Sequence, residues 1–232
     1  MKILGIIPAR GGSKEIKKKN LLKVGGKTLV ELAIKSAGKS KLLTRTIFSS
    51  EDKEILKVAK AAGAEVPFIR PKKLAKDNSS TFSVLMHAVK WLEKNEKWKA
   101  DIVVVLQPTT PFRKGEHIDA VLKLLLKSGS DAAITIKKVA YPSHWHLKIT
   151  NKNKISTLLK GGNRYSRRQD TPPTYQPAGL VSALTRKLLF SLKASLPEGD
   201  TRGYIIPDKF AVNIDNIYDY KLAKILEKEM LK

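Results

Sequence analysis

Apolar positions along this chain come in two rhythms. Short continuous runs of strand length alternate with sets spaced three and four residues apart, as on one face of a helix. Ile3-Leu4-Gly5-Ile6-Ile7 is the first run, and Pro8 ends it. Leu29, Leu32, Ala33, Ser36 and Ala37 recur at helical spacing, and Thr46–Phe48 reads as a short strand. Ser50-Glu51-Asp52 opens a helix in capping fashion and Gly63 closes it. Glu65–Ile69 predicts a strand stopped by Pro71. Ser79 or Ser80 caps a long helix through Val84, Leu85, Ala88, Val89 and Leu92. Ile102-Val103-Val104-Val105-Leu106 is apolar throughout, as in a strand covered on both faces. A helix over about Glu116–Leu126 and a strand over Ala132–Ile136 follow. Residues 216–232 close the chain with an amphipathic helix on Ile217, Tyr220, Leu222, Ala223 and Leu226.

Strands alternating with helices of this length predict an α/β three-layer sandwich, a mainly parallel sheet with helices on both faces. The stretch 141–178 breaks the rhythm with Pro142, Gly161-Gly162, Pro172-Pro173 and Pro177 among polar residues. It reads as an arm inserted into one domain spanning 1–232. The arm also carries Tyr141, Trp145, Tyr165 and Tyr175, too many aromatics for a disordered loop.

Composition narrows the chemistry. The 232 residues include no cysteine, so disulfides, thiolate zinc sites, iron–sulfur clusters and cysteine nucleophiles are excluded. No apolar run approaches the roughly 18 residues of a membrane span, and Pro8 breaks the opening too early for a signal peptide. A cytoplasmic location and no membrane partner are expected. Forty-five Lys+Arg against 21 Asp+Glu leave a net charge of +24. Such a balance points either to a polyanionic partner or to a lysine-rich solvated surface. The lysines are dispersed and form no aromatic-interleaved patch, so nucleic acid is not the expected partner.

In parallel sheets, ligands bind beyond the carboxyl ends of the strands. After the first strand come Ala9-Arg10-Gly11-Gly12-Ser13-Lys14 and Lys17-Lys18-Lys19-Asn20. Paired glycines let backbone N–H groups approach a phosphate, and the basic side chains neutralise it. The alternative is an ordinary basic loop. Two named phosphate motifs fail here: Gly26-Lys27-Thr28 lacks the first glycine of a P-loop, whose place Leu21 holds, and no G-x-G-x-x-G follows the first strand. After the buried strand, Gln107-Pro108-Thr109-Thr110-Pro111-Phe112-Arg113 offers hydrogen-bonding groups on a proline-fixed backbone, or simply a turn. Asn213 and Asp215 follow Phe210-Ala211-Val212. In a strand they would share one face and present two oxygens to a hard cation, although both residue types also end strands. His144 and His146 read as a surface pair in the arm.

Taken together, these motifs resemble the cytidylyltransferases that activate nonulosonic acids, the CMP-sialic acid synthetases and their legionaminic and pseudaminic acid relatives. The carriers are Ile7-Pro8-Ala9-Arg10-Gly11-Gly12-Ser13-Lys14 with Lys19-Asn20-Leu21, and Ile69-Arg70-Pro71 with Leu74-Ala75, Asp77 and Thr81. Leu106 to Arg113, Arg168-Gln169-Asp170 with Pro172, Pro177 with Gly179, and Ile214-Asp215 with Asp219 complete the match. The resemblance implies a reaction of CTP with a nine-carbon 2-keto acid sugar, giving CMP-sugar and pyrophosphate, in a homodimer whose arm packs on the partner.

By the same resemblance, Ala9, Arg10, Gly11, Gly12, Lys14 and Lys19 take the triphosphate, with Arg10, Lys14, Lys19 and Asp215 the catalytic set. Asn20, Arg70, Asp77 and Thr81 hold the rest of the nucleotide. Gln107 and Thr109 contact the sugar, and Lys148, Arg168 and Gln169 reach in from the arm. Asp215 and Asn213 hold Mg²⁺. The chain departs from the family pattern at Glu15, where glycine is common, and at Lys17, where proline is common. It also has Asn213 in place of a metal carboxylate, and Pro177-Ala178-Gly179-Leu180-Val181-Ser182 where Pro-Asn-Gly, an aliphatic pair and Tyr are usual, so that Asn and Tyr are lost. A nucleotidyltransferase for another sugar or an alcohol phosphate, a catalytically weakened homologue and a nucleic-acid-binding protein are the other readings.

Overall fold

A computed structural model describes residues 1–13, 15–192 and 196–230. β1 (Ile3–Pro8) leads into a loop and a small hairpin, β2 (Lys23–Val24) with β3 (Lys27–Thr28). α1 (Leu29–Gly38) starts there because Thr28 accepts from the Glu31 N–H and Glu31 reaches back to Thr28, a reciprocal cap. β4 (Arg45–Ser49) precedes α2 (Lys53–Ala61), capped by Asp52. α3 (Thr81–Glu96) is capped by Ser80 rather than Ser79. β5 (Ile102–Val105), α4 (Gly115–Ser128) and β6 (Ala132–Lys138) follow. A separate hairpin of β7 (Leu147–Ile149) and β8 (Ile155–Thr157) comes next, then β9 (Tyr175–Thr185), α5 (Arg186–Ser191), β10 (Thr201–Ile205) and α6 (Ile217–Met230).

The main sheet has six strands in the order β10-β6-β9-β5-β1-β4. All neighbours run parallel except around β9, which is antiparallel to both β5 and β6. Strand alternation sorts the core into two layers. Ile3 and Ile7 of β1, with Ile102 and Val104 of β5, face α1, α2 and α4. Leu4, Ile6, Val103 and Val105 face α3 and α5. This is the expected sandwich, with the β5 run buried on both faces. A third cluster seats Val212, Ile214, Ala223 and Met230 beneath α6. No helix among the described residues is long and apolar enough to cross a membrane.

Several expectations need correction. Glu65–Ile69 is not a strand: only Glu65 bridges to Ile47, because the chain turns away to place Arg70. Residues 208–210 form a 3-10 turn, and the strand of this region is β10, earlier in sequence. β9 begins at Tyr175, so the end of the stretch read as arm pairs with β6 at Ile136, Lys137 and Lys138. On α6, Ile217 and Leu222 are exposed, and Ala223 and Met230 are the buried contacts.

Candidate functional site

β1 and β5 are parallel neighbours, so the loops leaving their carboxyl ends share one edge of the sheet. The loop after β1 is pinned from beneath. The Ala9 N–H donates to the Ser49 carbonyl at 3.0 Å, and the Gly11 N–H donates to Glu51 Oε1 at 2.8 Å. Asn20 Nδ2 donates to the Arg10 carbonyl at 2.9 Å, closing the loop. The two glycines differ in what they need. A Cβ on Gly11 would sit 2.3 Å from Asp52 Oδ2, whereas one on Gly12 would meet nothing within 4 Å. Gly11 lets the loop press onto the start of α2; Gly12 faces open space.

Above the loop lies a cleft of about 300 Å³ whose wall includes Arg10, Gly12, Lys19, Asn20, Arg70, Asp77, Thr81, Gln107 and Thr109. Residues separated by up to a hundred positions are brought together by the sheet. Arg70 is 4% exposed, its Nε on Ser49 Oγ at 3.1 Å, its Nη2 on the Ser49 carbonyl, and its Nη1 3.8 Å from Glu51. Burial pulls it down to about 10, against the raising effect of Glu51, and it remains a cation at neutral pH. Arg10 pairs with Asp77 at 2.8 Å. Lys19 Nζ donates to the Asp215 carbonyl at 3.0 Å and lies 3.4 Å from Asp215 Oδ1. Three cations thus stand at the cleft already held in place, a suitable frame for a polyphosphate.

The segment after β10 reaches the same edge. The Ile214 N–H donates to the Thr109 carbonyl at 2.8 Å, tying it to the loop that carries Gln107. Asn213 Nδ2 donates to Asp215 Oδ2 at 2.6 Å. Asn213 Oδ1 is buried without a hydrogen-bond donor. An unpaired carboxamide oxygen beside a carboxylate fits a hard cation, so the residues present are compatible with Mg²⁺. Among the described residues no group of three or more His, Asp or Glu could hold a metal. Asp219 is committed to the Asp215 and Asn216 N–H groups at 2.9 and 3.0 Å.

Other sequence-predicted residues lie elsewhere. Ala9 is 1% exposed and, like Gly11, spends its N–H inside the protein, which leaves Gly12 as the glycine of the pair that faces the cleft. Lys14 lies outside the described residues. Arg168 and Gln169 line a separate cavity of about 440 Å³ with Lys138 and Pro142. Lys148 sits exposed on β7. Asn213 and Asp215 border a third, larger space of about 850 Å³ with Tyr141, His146 and Gly179. The sequence reading missed Ser13, Lys76 and Ser79 in the cleft wall, although the first two adjoin a residue it chose and Ser79 lies two positions from both Asp77 and Thr81. It also read Glu51 as part of a helix start, whereas Glu51 holds the Gly11 N–H and faces Arg70.

Comparison with known proteins supplies the remaining findings. The model of a family described as cytidylyltransferase matches residues 4–218. The pseudaminic acid cytidylyltransferase of Campylobacter jejuni is 30% identical over 234 residues, covering 98% of this chain and 97% of the relative. The CMP-N,N'-diacetyllegionaminic acid synthase of Legionella pneumophila is 27% identical over 228 residues, covering 97% and 96%. A solved structure of CMP:2-keto-3-deoxy-manno-octonic acid synthetase complexed with CTP superposes with a TM-score of 0.72 at 17% identity, over 99% of both chains. At that identity the likeness shows a shared fold.

Proposed function

The chain belongs to the cytidylyltransferase family, and on that premise we propose that it transfers the cytidylyl group of CTP to a nonulosonic acid of the sialic, legionaminic or pseudaminic type. One observation carries the reading: Arg10, Lys19 and Arg70 converge with Asn20, Thr81, Gln107 and Thr109 on one cleft at the carboxyl ends of β1 and β5. The names of the two relatives above support the choice of sugar acid.

In the proposed reaction the anomeric hydroxyl oxygen of the sugar acid forms a bond to the α-phosphorus of CTP. The bond to the bridging oxygen breaks, pyrophosphate leaves, and the hydroxyl gives up its proton. Positioning and charge neutralisation dominate such a step. Arg10 and Lys19 hold the triphosphate, each released from its carboxylate partner, Asp77 or Asp215, as the phosphates arrive. The Gly12 backbone allows close approach, and Lys14 belongs to the same set. Arg70 fixes the floor, while Asn20, Asp77 and Thr81 hold the nucleoside. Gln107 and Thr109 orient the sugar. Asp215 and the Asn213 carbonyl oxygen would hold Mg²⁺, whose chemistry when bound is to polarise the α-phosphate and acidify the attacking hydroxyl.

The arm completes the proposal. Tyr141, Leu147, Ile149, Ile155 and Leu158 are all more than half exposed, an apolar surface in need of a cover. A second copy of the chain supplies it, in a cytosolic homodimer, and Lys148, Arg168 and Gln169 then serve the partner's sugar site. The test of the function is pyrophosphate release with each of four nucleoside triphosphates and a panel of sugar acids. Release that needs both CTP and a nonulosonic acid is expected. Release with another nucleotide, or with an alcohol phosphate alone, overturns the assignment.

A further inference from the structure

On the face of the sheet that carries α1 and α4 lies a further cavity, of about 690 Å³. Its wall carries Lys27, Lys35, Lys39, Lys41, Lys114 and Lys123, all exposed, together with Arg113. Two carboxylates also line it, and seven cations against two carboxylates leave the wall strongly positive. Asp119 is consumed by the Ser40 hydroxyl at 2.5 Å and by the Lys41 and Leu42 N–H groups at 3.0–3.2 Å. Glu116 is mostly exposed and lies 3.8 Å from Lys114. The walls come close because Gly115 abuts the Lys39 carbonyl: a Cβ there would lie 2.4 Å from that oxygen.

Arg113 is the unusual member. It is 4% exposed, and among the described residues no carboxylate pairs with it. Its Nε donates to Ser36 Oγ at 3.1 Å, and its Nη1 to the carbonyls of Gln107 and Leu180 at 2.8 and 3.1 Å and to Thr110 Oγ1 at 2.9 Å. Its Nη2 has no acceptor. Desolvation lowers it to about 9, so the cation persists at neutral pH in a place that supplies no counter-charge. A buried charge without a partner is costly, and an anion in the adjoining cavity offsets it.

We propose that this cavity is a binding site for a small molecule bearing two or more phosphates, distinct from the cleft at the ends of β1 and β5. Its size suits a ligand of drug-like dimensions. Six lysines bordering one space suit phosphate as point charges, better than they suit a single carboxylate. Arg113 connects the two sites, since the side chain in the cavity wall also holds the Gln107 carbonyl of the cleft loop. The site stands whether or not the transferase reading above does.

The test uses inorganic tripolyphosphate as probe and calorimetry at about 150 mM salt, where loose surface attraction is screened. The background is the Arg10→Ala/Lys19→Ala protein, in which the two cations proposed to hold the triphosphate are gone from the cleft. One saturable site per chain is expected there. Adding Lys35→Gln, Lys39→Gln and Lys123→Gln should weaken it about tenfold or more. A control triple outside the cavity wall, Lys57→Gln, Lys60→Gln and Lys94→Gln, removes the same charge and should leave it within about twofold. Absence of saturable binding overturns the proposal. So does an equal loss in the control, which would reduce the effect to net charge.

Discussion

The nucleotide cleft and the arm are built on opposite plans. In the cleft three cations have an internal support: Arg10 on Asp77, Lys19 on Asp215, Arg70 on Ser49 and Glu51. Arg10 and Lys19 sit on the loop that leaves β1 and Arg70 on the segment beside β4, and backbone hydrogen bonds tie both to the body. In the arm the proposed sugar contacts are dispersed. Lys148 is on a hairpin, Arg168 and Gln169 border their own cavity, and five large apolar side chains face outward. On the proposed reading, one half of the site is held within a chain and the other is completed by contact with a second copy. Substitutions in the cleft should therefore act on chemistry, and substitutions in the arm on assembly.

The largest effects belong to the cleft. Arg10→Ala and Lys19→Ala are each expected to lower kcat on the order of 10²–10³-fold, the usual loss for one contact to a transferring group. Asp215→Asn should fall in the same range, since it leaves two neutral oxygens where a divalent ion is proposed and frees Lys19. Far-ultraviolet dichroism should be unchanged in all three. Near-normal turnover in either cation variant would detach the phosphate grip from this loop.

The arm should respond differently. Ile149→Asp with Ile155→Asp places two charges on the exposed hairpin without touching the main sheet. Sedimentation is expected to shift from dimer to monomer at micromolar protein. The KM for the sugar acid should rise about tenfold, while nucleotide binding stays within about twofold, because the cleft is complete in one chain. A variant that remains dimeric, or a parent that is already monomeric, breaks the comparison.

How much of this was legible beforehand follows the same division. The β1 and β5 runs, the helix spacings and the loop motifs lie in local sequence, and the sheet gathers them as strand order demands. Nine of the residues chosen for the nucleotide and sugar line one cleft. What local sequence hides is competition for partners. Nothing in Ala9 or Gly11 tells that Ser49 and Glu51 take their N–H groups. Glu51 reads as part of a helix start because it stands in Ser50-Glu51-Asp52, where Asp52 is the residue that caps α2. β9 was masked because Pro177 and Gly179 read as loop signals, yet the strand passes through both with a register shift opposite Ile134 and Ile136. Asn213 and Asp215 meet in a loop rather than a strand, so the pairing came from proximity in sequence and not from period-two geometry.

A moderate effect separates the two glycines of the first loop. Gly11→Ala must push Asp52 or the loop aside, because the new carbon would overlap the carboxylate and its Cβ. Overpacking of this kind costs about 1–3 kcal/mol, which thermal melting detects. Gly12→Ala should melt with the parent and lose CTP affinity instead. If both variants melt alike, the loop is not pressed onto α2 in the way described.

The smallest expected change is a gain. Asn213 supplies an oxygen without charge, so an ion at this place leans on the nucleotide phosphates more than it would with two carboxylates. Asn213→Asp adds a negative charge at a position where the present oxygen is buried and unpaired. It also removes the hydrogen bond from Asn213 Nδ2 to Asp215 and sets two carboxylates side by side. Without a cation those charges repel, and with one they attract it jointly; at an effective dielectric of about 20, a unit charge 4 Å away is worth about 4 kcal/mol before desolvation. Most of that gross figure is lost to solvation and to the nearby ammonium of Lys19. A net shift of a few-fold in the Mg²⁺ concentration for half-maximal pyrophosphate release is expected, downward. The metal-free variant should melt below the parent and regain the difference when Mg²⁺ and CTP are added together. A Mg²⁺ titration that does not move, alongside a melting temperature that does not fall, would mean that Asn213 and Asp215 meet only as neighbours in a loop and that the ion is held elsewhere.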